Sequence, residues 1–226
     1  MGAPIIETEE WKLTHYDMVI DVRSPSEFLD DHIPGAVNMP VLSDVERADI
    51  GTVYKQQSSF LARKKGAALV ARNIAGHLDN QLKKVGPDFS PLIHCWRGGQ
   101  RSRAFAQICS EIGWKSYTLK GGYKSYRRSV LRSLEEIATA LVFIVIAGRT
   151  GSGKTDILKE LKHEGAQVLD LEGLAVHRGS LLGRIENRLQ PSQRLFESNL
   201  CSDLSKFDLK KPIYVESESS KIGNVQ

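Results

Sequence analysis

A glycine-rich segment in the second half of the chain has the residue types and spacing of a phosphate-binding loop. Residues 146–155 read IAGRTGSGKT and fit the pattern G-x-x-x-x-G-K-[ST] at every fixed position, directly behind an apolar run. Backbone N–H groups of such a loop point at an anion, Lys154 adds a positive charge, and the Thr155 hydroxyl is placed to hold a magnesium ion. The predicted phosphate- or diphosphate-binding residues are Gly148, Gly151, Ser152, Gly153, Lys154 and Thr155.

A second segment, residues 94–102 (HCWRGGQRS), has the composition of a thiolate site. We expect Cys95 to leave a buried strand, a glycine-containing loop to follow, and a helix to open at Arg101 or Ser102. Loop N–H groups, the helix dipole and the charges of Arg97 and Arg101 all favour thiolate over thiol, which predicts a lowered pKa for Cys95. The candidate catalytic residues are therefore Cys95, Arg97 and Arg101. A buried, inert cysteine is the alternative.

These two loops require an α/β scaffold, and the first part of the chain has the pattern of one. Short apolar runs alternate with segments of helical pattern, which predicts a parallel sheet covered on both faces. The predicted strands lie at 17–21, 91–95 and 114–119, and a turn at 32–38 is predicted to lead into another short strand. The predicted helical segments begin at Ser24 and cover 44–85 and 101–112.

The chain divides into two predicted domains, 1–122 and 140–226, joined by an amphipathic bridging helix at 123–139. The second domain begins with the phosphate loop and has two further predicted strands, at 166–171 and 212–216. A doubly wound nucleotide-binding domain usually needs about 150 residues and five strands. Residues 140–226 are fewer, so we expect an incomplete P-loop NTPase-like α/β domain.

Composition excludes several classes of protein. The chain has 226 residues, 41% hydrophobic and 26% charged, with no apolar run near the roughly 20 residues that cross a bilayer. The N-terminus lacks the pattern of a secretory signal. Three cysteines do not form a disulfide framework, and Cys109 and Cys201 lack the setting of a reactive thiol. We therefore predict a cytoplasmic protein with no membrane partner.

Basic residues cluster around the bridging helix, although the net charge is only +4. This cluster is either a solvated helix face or a footprint for the phosphates of a nucleic acid. Its members are Lys120, Lys124, Arg127, Arg128 and Arg132, of which Lys124, Arg127 and Arg128 are the candidate RNA contacts.

Polar residues at the ends of predicted strands are further candidates. Asp170, Glu172 and Glu216 are positioned to be magnesium ligands or a base, with a solvated loop as the alternative, and no metal site is firmly assigned. His177 and Arg178 lie in a polar stretch and are candidate anion or RNA contacts. Asp21 and Arg23 are predicted to form a structural salt bridge near the thiol loop.

Two motifs of the first domain lie close together, at residues 20–28 (IDVRSPSEF) and 32–38 (HIPGAVN). They resemble the paired signature of rhodanese domains, sulfurtransferases in which the cysteine carries a transferable sulfur or selenium. Five residues separate Cys95 from Arg101, whereas small sulfurtransferases usually have four. With His94, this spacing also resembles the H-C-x5-R motif of cysteine phosphatases, so the spacing alone leaves both open.

Nearly the whole chain resembles the tRNA 2-selenouridine synthases, in which a rhodanese domain precedes a phosphate loop. Further similar segments are 46–55 (ERADIGTVYK), 95–99 (CWRGG), 170–175 (DLEGLA), 177–180 (HRGS), 190–193 (QPSQ) and 215–219 (VESES). The chain departs from the family pattern at Val176 and Ser220, and the resemblance leads us to expect a truncation at the C-terminus.

The resemblance implies a transferase that acts on the wobble uridine of a tRNA anticodon. A 2-thiouridine would be alkylated by geranyl diphosphate, and selenophosphate would then supply selenium in place of the sulfur. The phosphate loop would hold the diphosphate with Mg²⁺, and Arg97 and Arg101 would bind the selenophosphate oxyanion beside Cys95. The partners would be tRNA and these small-molecule donors. Alternatives are a sulfurtransferase or cysteine phosphatase with a regulatory nucleotide-binding domain, or a non-catalytic binding protein.

Overall fold

The structure is a computed structural model, and it describes residues 2–149, 152–177, 189–217 and 221–226. The chain forms two compact units, residues 1–127 and 128–226. Both have the predicted α/β architecture with parallel sheets. None of the helices in the described residues is both long and apolar enough to cross a membrane.

The first unit is built on a five-stranded parallel sheet of order β1-β5-β4-β2-β3. The strands are β1 (Ile5–Thr8), β2 (Met18–Asp21), β3 (Val37–Asn38), β4 (Pro91–His94) and β5 (Ser116–Leu119). All four residues of β4 are buried, as expected for a central strand covered on both faces. Strand β1 was not predicted. It is mostly exposed and joins the sheet at the edge beside β5.

The helices of the first unit begin at clear sequence signals. They are α1 (Pro25–Asp30), α2 (Asp44–Gln56), α3 (Ser59–Asp79), α4 (Gln100–Ile112) and the start of α5 (Gly122–Ala140). Ser24 with Glu27, and Ser43 with Glu46, form capping boxes in which each side chain bonds the other residue's backbone N–H. Gly113 ends α4 in the left-handed conformation.

The order of the strands determines where Cys95 lies in the sheet. From β2 the chain crosses to β3 on one side of the sheet, whereas from β4 it crosses to β5 on the other. Crossovers are right-handed, so α1 and α4 lie on opposite faces, and a crevice opens between the carboxyl ends of β2 and β4. Asp21 and His94, the last residues of these two strands, lie level in the sheet. Cys95 follows immediately and therefore lies at this switch point.

The second unit has a three-stranded parallel sheet of order β6-β8-β7 in the described residues. Its strands are β6 (Phe143–Ile146), β7 (Gln167–Leu169) and β8 (Ile213–Glu216), each within a predicted segment. Helix α6 (Lys154–His163) follows the phosphate loop, and α7 (Leu171–Ala175) and α8 (Gln193–Leu204) complete the unit. Ile213 is fully buried at the centre of this unit's core, against which Leu134 and Ile137 of α5 also pack.

Candidate functional sites

Cys95 lies at the carboxyl end of β4, where its sulfur faces the first turn of α4. The side chain is buried, with 3% of its surface exposed. The Gly99 N–H donates to Sγ at 3.2 Å, and the Ser102 Oγ lies 3.3 Å from Sγ. The strand, the loop and the helix that the sequence predicted around this cysteine are all present, and Ser102 lies in the first turn of that helix.

Burial raises the pKa of the Cys95 thiol, but the surrounding donors outweigh it, and the pKa is lowered overall. Hydrogen bonds from Ser102 and from the Gly99 N–H stabilise the thiolate, and the Arg101 charge adds to them. Cys109 is a contrast within the same unit, because burial raises the pKa of its thiol to about 11. The first unit thus holds one activated thiol and one inert thiol.

The thiol loop is held from behind by the start of α5. The backbone N–H of Tyr123 donates to the Cys95 carbonyl at 2.9 Å, and the N–H of Lys124 donates to the Trp96 carbonyl at 3.1 Å. Gly122 has a φ of 59°, and a Cβ at this position would overlap the Cys95 carbonyl oxygen. The carbonyls of Cys95 and Trp96 therefore point towards α5, whereas the N–H of Gly99 faces the sulfur.

Of the two predicted arginines, Arg101 contacts the site and Arg97 faces solvent. Arg101 donates to Glu27 Oε2 at 2.9 Å, and Arg47 approaches the same carboxylate oxygen at 3.2 Å. Burial raises the pKa of Glu27, but the bond from Arg101 and its charge outweigh burial and lower it overall. Arg97 is exposed, and no ion pair of its side chain occurs within the described residues. It is therefore available for an incoming anion.

A buried charge network lies next to the thiol loop. Arg23, 1% exposed, forms the predicted salt bridge with Asp21 at 2.6 Å and donates to the Asp31 carbonyl. Its guanidinium also lies 3.9 Å from the ring centre of Tyr123, and the Tyr123 hydroxyl donates to the Asp31 carboxylate at 2.7 Å. Since Tyr123 also bonds the Cys95 carbonyl, this network fixes β2, α1 and α5 around the loop.

His94, which precedes the cysteine, is fully buried in this unit. Burial lowers the pKa of the imidazole, although the Asp21 carboxylate 3.8 Å away opposes that effect. The ring is therefore neutral at neutral pH, and His94 adds no full charge beside Cys95.

Removing the Ser102 hydroxyl tests the origin of the lowered thiol pKa. In Ser102→Ala the thiolate loses a hydrogen-bond donor, so the pKa of Cys95 is expected to rise and the thiolate to form only at higher pH. The pH dependence of thiolate absorbance near 240 nm, with Cys95→Ala as the blank, measures this midpoint. Ser110→Ala is the matched control, because Ser110 is a buried serine of α4 that bonds the Ala3 carbonyl instead. An unchanged midpoint in Ser102→Ala would show that this hydroxyl does not activate the thiol.

The phosphate loop joins β6 to α6, as the sequence predicted. Lys154 Nζ donates to the carbonyl oxygens of Gly148 at 3.1 Å and Arg149 at 3.4 Å, so the side chain folds back over the loop. A Cβ at Gly148 would lie 2.6 Å from Ser152 Oγ, which explains why a glycine is needed there. Gly153 has a φ of 82° at the start of α6. The predicted Gly151 lies outside the described residues.

Glu216 joins the phosphate loop from the adjacent strand. It ends β8 level with Ile146, the last residue of β6. The Thr155 hydroxyl donates to Glu216 Oε2 at 3.3 Å, and Lys154 Nζ lies 3.6 Å from Oε1. A threonine hydroxyl and a carboxylate are the hard oxygen donors that Mg²⁺ prefers. Thr155 and Glu216 therefore fit a magnesium ion.

The other predicted polar residues of the second unit have different surroundings. Asp170 caps α7 by accepting the Gly173 N–H at 2.7 Å, and Glu172 lies in that helix. Neither joins Glu216 in a group with metal-ligand spacing among the described residues. His177 is buried at 8% exposure, which leaves little of it open to an RNA. Arg178 lies outside the described residues.

The three candidate RNA contacts lie in the first two turns of α5. Lys124 and Arg128 are exposed, whereas Arg127 is half-buried and its guanidinium lies 3.9 Å from the Asp31 carboxylate. Lys124 and Arg128 therefore present the free charges of this surface, and Arg127 belongs in part to the buried network.

Two residues of the thiol site, Ser102 and Glu27, were not predicted as site residues from sequence. Ser102 was expected to open α4, but its position seven residues after Cys95 also directs its hydroxyl back to the sulfur. Glu27 was identified only as part of a helix start, yet it positions Arg101 from 74 residues away. No local pattern marks that pairing.

Comparison with known proteins supports the resemblance found in the sequence. Residues 6–129 match the family model of the rhodanese-like domain, and residues 141–226 match that of the tRNA 2-selenouridine synthase AAA domain. The chain is similar to proteins named tRNA 2-selenouridine synthase from several bacteria. Identity is 39% to the protein from Nitrosomonas europaea, across 92% of this chain and 54% of the relative. Identity is 41% to the protein from Bdellovibrio bacteriovorus, across 92% of this chain and 55% of that relative.

A third relative, from Nitrosomonas eutropha, is 36% identical across 100% of this chain and 59% of its own length. The chain thus spans little more than half the length of these relatives. The rhodanese-like match alone covers more than half of the chain, and the AAA-domain match follows it without overlap. The chain belongs to the rhodanese-like domain family, and the AAA domain that follows makes it a relative of the tRNA 2-selenouridine synthases.

Proposed function

We propose that this chain carries out, or contributes to, the conversion of 2-thiouridine to 2-selenouridine at the wobble position of a tRNA. The observation that carries the proposal is an activated thiol at a sheet switch point, in a chain that also holds a phosphate loop with Thr155 and Glu216 in contact. A transferase that uses two different phosphorus-containing donors needs two such anion sites. The names of the curated relatives support the same reaction.

The phosphate loop would bind the diphosphate of geranyl diphosphate. As the C–O bond to the diphosphate breaks, negative charge grows on the leaving group, and Lys154 would stabilise it. A magnesium ion on Thr155 and Glu216 would supply further positive charge. Lys154 would exchange its bonds to the loop carbonyls for bonds to phosphate oxygens, which is why its folded-back position supports the assignment. The geranyl group would then be attached to the sulfur of the thiouridine, which makes that sulfur a better leaving group.

The thiol loop would position the selenium donor. Selenophosphate is an oxyanion, and Arg97 is the exposed cation of this loop. Arg101 would contribute its charge while Glu27 fixes its direction. The Cys95 thiolate would lie beside the donor and orient it, and its lowered pKa favours the anionic form.

The RNA would be bound in part by the exposed cations of α5. Lys124 directly follows the residue that holds the thiol loop, so a phosphate on Lys124 would lie near that loop. Such contacts position an RNA but do not read its sequence. Binding of tRNA is therefore expected to weaken steeply as salt rises.

A sulfurtransferase or cysteine phosphatase is the second candidate function. It is favoured by one observation, the activated thiolate followed by Arg101 after five residues. In this alternative the phosphate loop would sense a nucleotide, and a small donor or phosphoester would be turned over without RNA.

Mass analysis of wobble nucleosides distinguishes the synthase function from the sulfurtransferase or phosphatase function. The chain is incubated with thiolated tRNA, geranyl diphosphate and Mg²⁺, and then with selenophosphate. We expect S-geranyl-2-thiouridine after the first addition and 2-selenouridine after the second. An unchanged nucleoside, together with hydrolysis of an aryl phosphate that depends on Cys95, would reject the synthase function in favour of the phosphatase.

A further inference from the structure

The first unit contains a large apolar cavity beside the thiol loop. Its volume is about 710 Å³, within the range of small-molecule sites. Helices α2, α3 and α4 form the walls. The apolar lining includes Leu42, Ile50, Ala62, Ala67, Val70 and Ala104.

Small side chains leave this space open. Ala62, Gly66 and Ala67 of α3 line it together with Ala104 of α4. Larger residues at these positions would fill the space. Most of the lining is apolar, although Ser59, Arg63, Gln100 and Arg101 also line the cavity. The cavity therefore matches a ligand that is itself apolar.

The cavity adjoins the thiol loop at the first turn of α4. Gln100 and Arg101 line it, and the N–H of the preceding residue, Gly99, is the one that donates to Cys95 Sγ. At the surface, the exposed residues Tyr54 and Arg63 also line it. A ligand could thus enter from solvent, place an apolar part among the alanines, and keep a polar end near Arg101.

We propose that this cavity binds the aliphatic chain carried by the sulfur of the S-alkylated thiouridine while selenium is delivered. This inference rests on the proposed function and adds to it a binding site for the alkyl group of the leaving thiol. A ten-carbon prenyl chain is the apolar group that the proposed reaction presents to the thiol loop. Seating it in the cavity orients the modified base towards Cys95, and a nucleoside without the chain is held less tightly.

The chain-length dependence of binding tests this site directly. The probes are the nucleosides S-geranyl-2-thiouridine and S-methyl-2-thiouridine, and the dissociation constants are measured by equilibrium dialysis with mass detection. Burial of the additional carbons is expected to make the geranyl nucleoside bind at least about tenfold more tightly to the wild-type chain. Equal affinities for the two nucleosides would overturn the proposal.

Two neighbouring alanines of α3 provide a matched pair of variants. Ala67→Phe places a ring in the cavity, so it is expected to reduce geranyl binding to the level of the methyl nucleoside. Both alanines are exposed, but Ala68 does not line the cavity, so Ala68→Phe is expected to bind both probes as the wild type does. Circular dichroism confirms that each variant is folded, and Ala104→Leu narrows the cavity from α4 if Ala67→Phe does not fold. Unchanged geranyl binding in a folded cavity variant would reject the site.

Failure of this site and failure of the proposed function give different results. If geranylated tRNA is selenated but Ala67→Phe changes neither binding nor the Michaelis constant for that tRNA, the cavity inference is wrong and the function stands. If the wild type does not selenate any tRNA but binds the geranyl nucleoside in a manner that Ala67→Phe abolishes, the cavity inference stands and the function is wrong.

Discussion

Lys154→Ala is expected to reduce geranylation of thiolated tRNA by at least about a hundredfold. The lysine is the only cation of the described phosphate loop that folds over the loop carbonyls, and it contacts Glu216 at 3.6 Å. Without it, the charge that develops on the departing diphosphate would be stabilised by backbone N–H groups and the metal alone. The measurement is the initial rate of S-geranyl-2-thiouridine formation, followed by mass spectrometry of nucleosides.

Lys159→Ala is the matched control for this change. Lys159 belongs to the same helix, is 73% exposed and pairs only with Asp156 among the described residues. The Lys159→Ala variant is expected to geranylate thiolated tRNA at the wild-type rate. The decisive comparison uses tRNA that already carries the geranyl group, because Lys154→Ala should still convert it to 2-selenouridine. Loss of that second step in Lys154→Ala would contradict the assignment of separate roles to the two loops.

Cys95→Ala is expected to stop selenium transfer while S-geranyl-2-thiouridine accumulates. The substitution removes the thiol of the first unit whose pKa is lowered by its surroundings, and the rate of 2-selenouridine formation should fall by at least about a thousandfold. Geranylation should continue, since the phosphate loop lies in the second unit. Nucleoside analysis of one reaction mixture over time measures both steps.

Cys201→Ala controls for the general loss of a thiol, because Cys201 is a half-buried cysteine of α8 in the second unit. It is expected to carry out both steps at wild-type rates. If Cys95→Ala selenates as fast as Cys201→Ala, the thiol loop has no part in the reaction. Rescue of selenation in Cys95→Ala by a small external thiol would show that the thiolate is needed rather than the shape of the side chain.

Both loops could be predicted from sequence because the residues that form each loop are close together in the chain. A phosphate loop places glycines, a lysine and a threonine within eight consecutive residues, so its geometry is encoded by near neighbours. The thiol loop is similar, since the donors Gly99 and Ser102 lie within seven residues of Cys95. The order of strands and helices also followed from alternating apolar runs and from caps such as Ser24 with Glu27.

The remaining features depend on contacts between distant segments, which no local pattern encodes. Glu27 reaches Arg101 across 74 residues, and β1 pairs with β5 across more than 100. Glu216 was predicted as a candidate, but its contact with Thr155 required the strand order β6-β8-β7. The apolar cavity is likewise a product of three helices whose small residues become neighbours only after folding.

The two hydrogen bonds that join the thiol loop to the start of α5 have a thermodynamic consequence. Because the carbonyls of Cys95 and Trp96 are already bonded to N–H groups of α5, the loop is ordered before any donor arrives. A flexible loop of this length would lose conformational entropy on binding, at about 1–2 kcal/mol for each residue that becomes fixed. Here that cost is met during folding of the first unit. The loop is therefore preorganised, so even a small anion with few contacts can bind to it with useful affinity.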